Sequence, residues 1–179
     1  MMNVHEATQQ PRAGPGKLAG NRLSSVLFAL GIWLGSAHAD PDSAGPFLGW
    51  SGHWSGSGTI TMTSGVTERI RCKAAYTVNA AGNAIQQTLR CASDSYRLEI
   101  SSNVVSKGGA LSGSWGEATR SVSGSVSGHA SATEIVASVA GGGFAAYLDV
   151  RTQGDRQSVT IRPQSGTDVA AVSIALHKG

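Results

Sequence analysis

Apolar and polar residues alternate along the chain from Trp54 to Leu176, and short stretches rich in Gly, Ser, Asn and Asp interrupt the alternation. A period of two between turn residues is typical of antiparallel β-strands with one buried face. The segment Glu134 to Ala140 comes nearest to a helix, but it contains β-branched valines and runs into three consecutive glycines. The pattern predicts an all-β domain, an antiparallel up-and-down meander of about 8–10 strands that closes into a barrel and so loses its edges.

The two cysteines of the mature region fix the register of the second and third strands. Cys72 lies in the segment Val66 to Val78, Cys91 lies in Ala84 to Ser93, and a turn-rich stretch separates the two segments. If the cysteines face each other, the apolar side chains of both strands stay on one face. We therefore predict one Cys72–Cys91 disulfide, and two free buried thiols are the alternative. The further pairs in this register are Ala74 with Leu89, Tyr76 with Gln87, and Val78 with Ile85.

The same reasoning extends to the flanking strands. A first strand, Trp54 to Met62, is joined to the second by a three-residue turn that ends in Gly65. A fourth strand, Tyr96 to Val105, follows a two-residue turn and places Leu98, Ile100, Ser102 and Val104 on the apolar face. A four-residue turn at Ser106 to Gly109 would then set Val104 opposite Leu111, Ser102 opposite Gly113, and Ile100 opposite Trp115.

This register places a row of polar positions on the inner face of the predicted barrel: Tyr76, Gln87, Ser102 and Gly113. A buried glutamine is costly unless it is hydrogen-bonded, and a closed barrel of this size can enclose a ligand. We predict that the row binds a small molecule, with Trp115, Leu89 and Ile100 as its apolar wall. The candidate ligand-binding residues are Tyr76, Gln87, Ser102 and Trp115. The alternative is that Tyr76 and Gln87 bond each other or a buried water.

The beginning of the chain has the three parts of a secretory signal peptide. Basic Arg12, Lys17 and Arg22 precede the apolar run Ser25 to Leu34, and an Ala-x-Ala cleavage signal ends at Ala39. The apolar run is half the length of roughly 20 residues that a spanning helix needs. We predict a signal peptide at residues 1–39, a lead-in at 40–50 and a barrel domain at 51–179. The protein is then exported to a periplasm or the medium, with no integral membrane segment after cleavage.

Removal of that signal peptide also changes the charge of the protein. The full chain carries a formal net charge of +3, and loss of three basic residues and Glu6 leaves about +1. A nucleic-acid or anionic-membrane partner would need a clustered basic face, so we expect neither. An outer-membrane barrel is the alternative fold, but only 6% of the residues are aromatic, too few for the aromatic girdles of such barrels.

The start of the meander carries a short motif. Gly52-His53-Trp54 and the many consecutive strands resemble the calycin superfamily of lipocalins, avidins and their relatives, in which the tryptophan closes one end of the barrel. The resemblance assigns Gly52 and Trp54 to such a barrel plug. The strand count is closer to nitrobindin-like or fatty-acid-binding-like barrels, and Trp54-Ser55-Gly56-Ser57-Gly58 is similar to the first strand of nitrobindin-like proteins. Lipocalins also place an arginine on this tryptophan, and Lys178 is the nearest basic residue.

No residue set in the sequence indicates catalysis or a cofactor. The mature histidines His53, His129 and His177 lack metal-ligand spacing, and no Gly-x-Ser-x-Gly stands at a strand-to-helix turn. Haem binding in the manner of nitrobindin would need an inward histidine on the last strand, whereas His177 has outward parity. We therefore predict a protein that is not an enzyme, with no catalytic residue, no metal and no cofactor.

The sequence favours an exported binding protein for a small apolar or amphipathic ligand. Two alternatives remain open at this point. A periplasmic protein-binding barrel, such as a protease inhibitor, would use the extended segment Asp40 to Trp50 to enter an active-site cleft. A structural envelope protein would instead have a filled barrel and no ligand.

Overall fold

The computed structural model describes residues 44–179, which form one all-β unit without an α-helix. No helix in this part of the chain is long and apolar enough to cross a bilayer. The predicted signal peptide lies outside the described residues. The ten strands are β1 Gly52–Met62, β2 Thr67–Val78, β3 Ala84–Ala92, β4 Arg97–Lys107, β5 Ala110–Glu117, β6 Val122–Ala130, β7 Glu134–Gly141, β8 Phe144–Gln153, β9 Arg156–Ser165 and β10 Val169–Lys178.

The strands form a closed barrel in which each strand pairs antiparallel with the next and β1 pairs with β10. The predicted meander, its closure and the Cys72–Cys91 disulfide are thereby confirmed. Closure pairs both backbone edges of every strand, which removes the edges through which sheets aggregate. The Cα atoms of the two cysteines lie 4.1 Å apart, close to the spacing of a non-hydrogen-bonded antiparallel pair.

The predicted register is confirmed for the second and third hairpins and is wrong by two residues for the fourth. Tyr76 lies opposite Gln87, and Gln87 lies opposite Ser102. Ser102, however, lies opposite Trp115 rather than Gly113. The cause is a two-residue turn at Gly108-Gly109, where both φ angles are positive, in place of the expected four-residue turn. A shift of two residues keeps every side chain on its predicted face, so the inward set is unchanged.

The two ends of the barrel differ. At the end where the chain enters and leaves the barrel, hereafter the closed end, residues 44–50 fold under the strands. The amide of Gly45 donates to the carbonyl of Ala81 at 2.9 Å, and that of Phe47 donates to Gly82, also at 2.9 Å. Phe47 and Trp50 are almost completely buried, at 0% and 2% exposure. The other end, hereafter the open end, carries the turns that connect β1 to β2, β3 to β4, β5 to β6, β7 to β8 and β9 to β10.

Candidate functional site

The barrel encloses a cavity of about 250 Å³. Most of its wall is apolar, with side chains such as Ile60, Ile70, Leu89, Val104 and Leu111. The wall extends to residues of the open-end turns, among them Arg120, Gly142 and Gly166, whereas Trp50 contributes to it from the closed end. The cavity therefore has its mouth at the open end and its floor on the buried N-terminal segment.

The four predicted ligand-binding residues all contribute to this wall. They occupy directly opposed positions on four neighbouring strands, in the order Tyr76, Gln87, Ser102 and Trp115. Tyr76 is two residues from the closed-end terminus of β2, Ser102 is in the middle of β4, and Trp115 is two residues from the open-end terminus of β5. Barrel strands are tilted relative to the barrel axis, so residues that lie opposite each other on successive strands are at different heights. This row of four residues therefore extends from the floor of the cavity to its mouth.

The hydrogen bonds of this row differ from the predicted alternative. The Tyr76 hydroxyl donates to Gln157 Oε1 at 2.7 Å, and Gln157 Nε2 in turn donates to Thr152 Oγ1 at 3.1 Å. The Ser102 hydroxyl donates to Gln87 Oε1 at 3.2 Å. Burial raises the pKa of Tyr76, which keeps the phenol neutral and a donor. Tyr76 and Gln87 thus have separate partners.

Gln157 and Thr152 are functional candidates that the sequence reasoning missed. Both are buried, and they fill the barrel near its closed end between β8, β9 and Tyr76 of β2. A signal was present, because Gln157 lies two residues before the inward-facing Val159 and Thr152 two residues after the inward-facing Val150. The alternation of the two strands was therefore enough to predict that both side chains face inward, but it could not predict their hydrogen-bonded contact with Tyr76.

Trp115 reaches across the inner face of the barrel near the mouth. Its ring packs edge-on against Phe144 of β8, with the ring centroids 5.6 Å apart. The positions between them at this level are Gly124 of β6 and Gly141 of β7, so that no side chain separates the two rings. A Cβ at Gly124 would collide with the backbone of Ala140. The indole N–H groups of Trp115 and Trp50 are both buried without an acceptor.

The predicted barrel plug lies at the closed end. Trp54 is 1% exposed, its indole N–H donates to the carbonyl of Trp50 at 2.9 Å, and its ring packs edge-on against Tyr76. Lys178 Nζ lies 5.8 Å from the centre of the Trp54 ring and donates to the carbonyl of Gly49 at 2.8 Å. Lys178 therefore takes the place for which the lipocalin resemblance implied an arginine. Gly52, with a φ of +126°, starts the strand against the Lys178 side chain.

Glu117 and Arg120 form a charged pair at the mouth of the cavity. Glu117 is buried at the end of β5 and accepts hydrogen bonds from the amides of Glu99, Thr119 and Arg120 and from the Thr119 hydroxyl. Arg120 is about half exposed and lies over the Tyr96 ring, with its guanidinium carbon 4.8 Å from the ring centre. The Glu117 to Arg120 ion pair is long, at 3.6 Å. Glu117 is thus hydrogen-bonded to the β5–β6 turn, and Arg120 contributes to the cavity wall at its mouth.

The acid stability of the protein should depend on Glu117. Burial raises the pKa of Glu117, but the hydrogen bonds from Thr119, Glu99 and Arg120 lower it, and the net result is a pKa below its ordinary value. A depressed pKa contributes stability above the unfolded-state pKa of about 4.3, and this contribution is lost as the pH falls through the folded-state pKa. We expect Glu117→Gln to be less stable at pH 7 and to lose less stability than wild type between pH 5 and 3. Urea midpoints measured across this range test the prediction, and parallel curves would contradict it.

His53, His129 and His177 are all exposed and face away from the cavity. Among residues 44–179, no three His, Cys, Asp or Glu side chains come together in a way that could hold a metal ion. The polar groups of the cavity wall are hydroxyl, amide, indole and guanidinium groups and the carboxylate of Glu117.

Comparisons with known proteins identify the fold. No family model and no curated protein sequence matches the chain. The structure of Rv2717c from M. tuberculosis is similar, with a TM-score of 0.62, 14% identity, and coverage of 75% of this chain and 93% of that one. The S-type phycobiliprotein lyase CPES from Guillardia theta has a TM-score of 0.50 and 14% identity, with coverage of 74% and 89%. These likenesses and the ten-strand barrel fit a calycin-like fold.

One expectation from the sequence is corrected by this comparison. The chain was expected not to be an enzyme because it lacks a recognisable catalytic constellation. A protein with a similar barrel is named a lyase, so the lack of such a constellation is not a sound basis for excluding an enzyme in this fold. At 14% identity, the likeness extends to the fold and not to an activity.

Proposed function

We propose that this barrel binds a small apolar or amphipathic molecule in its interior cavity. The observation that carries the proposal is an apolar cavity of about 250 Å³ that is closed at one end by Trp50 and extends to the turns at the other. Ligand sites are typically concave and mostly apolar, with a few polar groups that fix orientation. Tyr76, Gln87, Ser102 and Trp115 supply the polar groups and the aromatic surface in our proposal.

The alternatives have less support from the described residues. A filled structural barrel would not leave a cavity of this size. An inhibitor that inserts its N-terminal segment would need that segment free, but residues 44–50 are bonded to the β2–β3 turn and bury Phe47 and Trp50. The ligand-binding function is therefore the one that the geometry favours.

We further propose that the protein is exported and acts in a periplasm or in the medium. The signal peptide proposed for residues 1–39 supports this location. The Cys72–Cys91 disulfide agrees with it, because disulfides persist mainly in oxidising compartments. The mature chain would begin at Asp40, with the lead-in at 40–50 followed by the barrel domain at 51–179.

Native mass spectrometry of the chain from Asp40, produced in an oxidising compartment, tests the binding function. We expect a discrete additional mass that disappears when the same sample is denatured. The denatured protein serves as the control, and its mass should be two hydrogens below that of the reduced chain. If the native protein shows no additional mass and acquires none from a panel of apolar and amphipathic molecules, the proposal is wrong.

A further inference from the structure

The outer surface of β2, β3 and β4 brings together basic side chains that are separated along the sequence. Five exposed cations lie on these neighbouring strands and are hereafter the basic face: Arg69, Arg71, Lys73, Arg90 and Arg97. From the spacing of residues and strands, the basic face extends about 13 Å along β2 and about 10 Å from β2 to β4. The low net charge expected after loss of residues 1–39 therefore conceals a local concentration of positive charge.

Most of these cations have no acidic partner among the described residues. Arg90 pairs with Glu99 of the same surface at 2.7 Å, whereas the other four cations make no ion pair within residues 44–179. Glu68 has the opposite parity on β2 and accepts hydrogen bonds from the hydroxyls of Ser93 and Ser95. The basic face is therefore available to an anionic partner.

The register of the strands also places like charges directly opposite each other. Lys73 lies opposite Arg90, and Ala92 alone separates Arg71 from Arg97 across the three strands. Like charges in opposed positions of an antiparallel pair are destabilising, so this arrangement lowers the stability of the isolated barrel. A bound anionic surface offsets the repulsion, which is a physical reason to assign a negatively charged partner.

The surroundings of the basic face favour a membrane surface over a nucleic acid. The neighbouring positions on β1 hold the short side chains of Ser55, Ser57 and Thr59, so the long basic side chains can reach a surface without obstruction. The outer surfaces of β2, β3 and β4 carry no aromatic side chain, whereas single-stranded nucleic acids are bound largely by stacking on aromatic residues. A cluster of this number of Lys and Arg residues is typical of recognition of anionic lipid headgroups.

We infer that the barrel docks on an anionic membrane surface through the basic face. Lipid phosphate groups accept charged hydrogen bonds from the four unpaired cations, and the contact is electrostatic, because no large apolar side chain lies between these cations. Salt therefore weakens the binding by screening the charges. The inference is independent of the ligand-binding function, since no residue of the basic face contributes to the cavity wall.

Cosedimentation with lipid vesicles tests the inference. The chain from Asp40, with its disulfide formed, is incubated at low ionic strength with vesicles of phosphatidylcholine alone or of phosphatidylcholine mixed with phosphatidylglycerol. We expect about 100-fold tighter binding to the anionic vesicles, and loss of this preference in about 0.5 M sodium chloride. Equal binding to both kinds of vesicle would overturn the inference. Binding of a short DNA duplex without binding of anionic vesicles would likewise overturn the assignment to a membrane.

Two variants of equal net charge test whether the basic face is the docking surface. The first replaces the three cations of β2: Arg69→Gln, Arg71→Gln and Lys73→Gln. We expect it to bind anionic vesicles about 100-fold more weakly, because each basic residue near such a surface contributes about fivefold. The matched control replaces three cations on the outer surface of β8 and β9, and its affinity should change about threefold or less: Arg151→Gln, Arg156→Gln and Arg162→Gln. Equal losses in the two variants would overturn the assignment.

Thermal unfolding without vesicles shows whether the β2 variant is folded. Its loss of the repulsion between Lys73 and Arg90 should leave its Tm no lower than that of the wild-type protein. If the triple variant does not fold, the single variants Lys73→Gln and Arg162→Gln are compared instead. About fivefold weaker vesicle binding for Lys73→Gln alone supports the assignment, and equal affinities overturn it.

Discussion

Replacement of Trp54 by alanine is expected to lower the free energy of unfolding by about 3–5 kcal/mol. Trp54 is 1% exposed and lies at the centre of the closed end, where its ring contacts Tyr76 and its N–H holds the carbonyl of Trp50. Removal of the indole leaves a cavity and also frees the segment that carries Phe47 and Trp50. Because a domain of this kind is stable by about 5–15 kcal/mol in total, the loss should be evident in a urea unfolding curve.

Two further variants separate the causes of that loss. Trp54→Phe keeps an aromatic ring but leaves the Trp50 carbonyl without its indole donor, so we expect a smaller loss than for alanine, of about 1–3 kcal/mol. Tyr147→Ala is the control, because Tyr147 is 55% exposed on the outer face, and it should change stability by about 0.5 kcal/mol or less. A Trp54→Ala protein with the urea midpoint of Tyr147→Ala would show that Trp54 does not hold the closed end together.

The alternation of the sequence was sufficient to predict the strands and their inward faces. This succeeded because the side-chain period of a strand is two, and a slip of one residue would have exposed an entire apolar set. The same argument cannot detect a slip of two residues, because such a slip leaves every side chain on the same face. The predicted pairing of β4 with β5 was therefore wrong by two residues. The turn at Gly108-Gly109 decided that register, since two glycines with positive φ form the tight turn that hairpins prefer.

The hydrogen bonds at the closed end of the candidate site, from Tyr76 to Gln157 and from Gln157 to Thr152, could not be predicted from the register of neighbouring strands. Local register relates each strand to its neighbours, whereas the bond from Tyr76 to Gln157 joins residues 81 positions apart across the barrel interior. A proline commonly marks a turn or a strand edge, but Pro163 lies within β9, near the open end, and the strand continues to Ser165. The proline is accommodated opposite Ala146, where the pairing of β8 and β9 shifts in register.

The burial of residues 44–50, which form the floor of the cavity, was not predicted for a different reason. Residues 44–50 have no strand periodicity, so nothing in their pattern indicated that Phe47 and Trp50 are buried. Their position depends on backbone bonds to the β2–β3 turn, which forms only when those strands pair. The extent of the cavity therefore follows from the closed barrel and not from any single segment.

The second large effect is expected from the disulfide. Cys72 and Cys91 are 19 residues apart and buried at 2% and 6% exposure. A bond that closes a loop of this length stabilises a protein by about 3 kcal/mol in the chain-entropy model, because it restricts the unfolded chain. For a domain of this size, the double variant Cys72→Ala and Cys91→Ala should lose about 10 °C in Tm.

Reduction of the wild-type protein separates the stability that comes from the disulfide bond from the stability that comes from the packing of the two cysteine side chains. Unfolding of the wild-type protein in the presence of dithiothreitol removes the bond and keeps both side chains, whereas the double alanine variant removes both. We expect reduced wild type to lie between the oxidised protein and the variant, and the variant to be insensitive to dithiothreitol. If reduction leaves the urea midpoint of the wild-type protein unchanged, the disulfide does not stabilise the barrel. The fold would then not depend on an oxidising compartment, and the proposed export would rest on residues 1–39 alone.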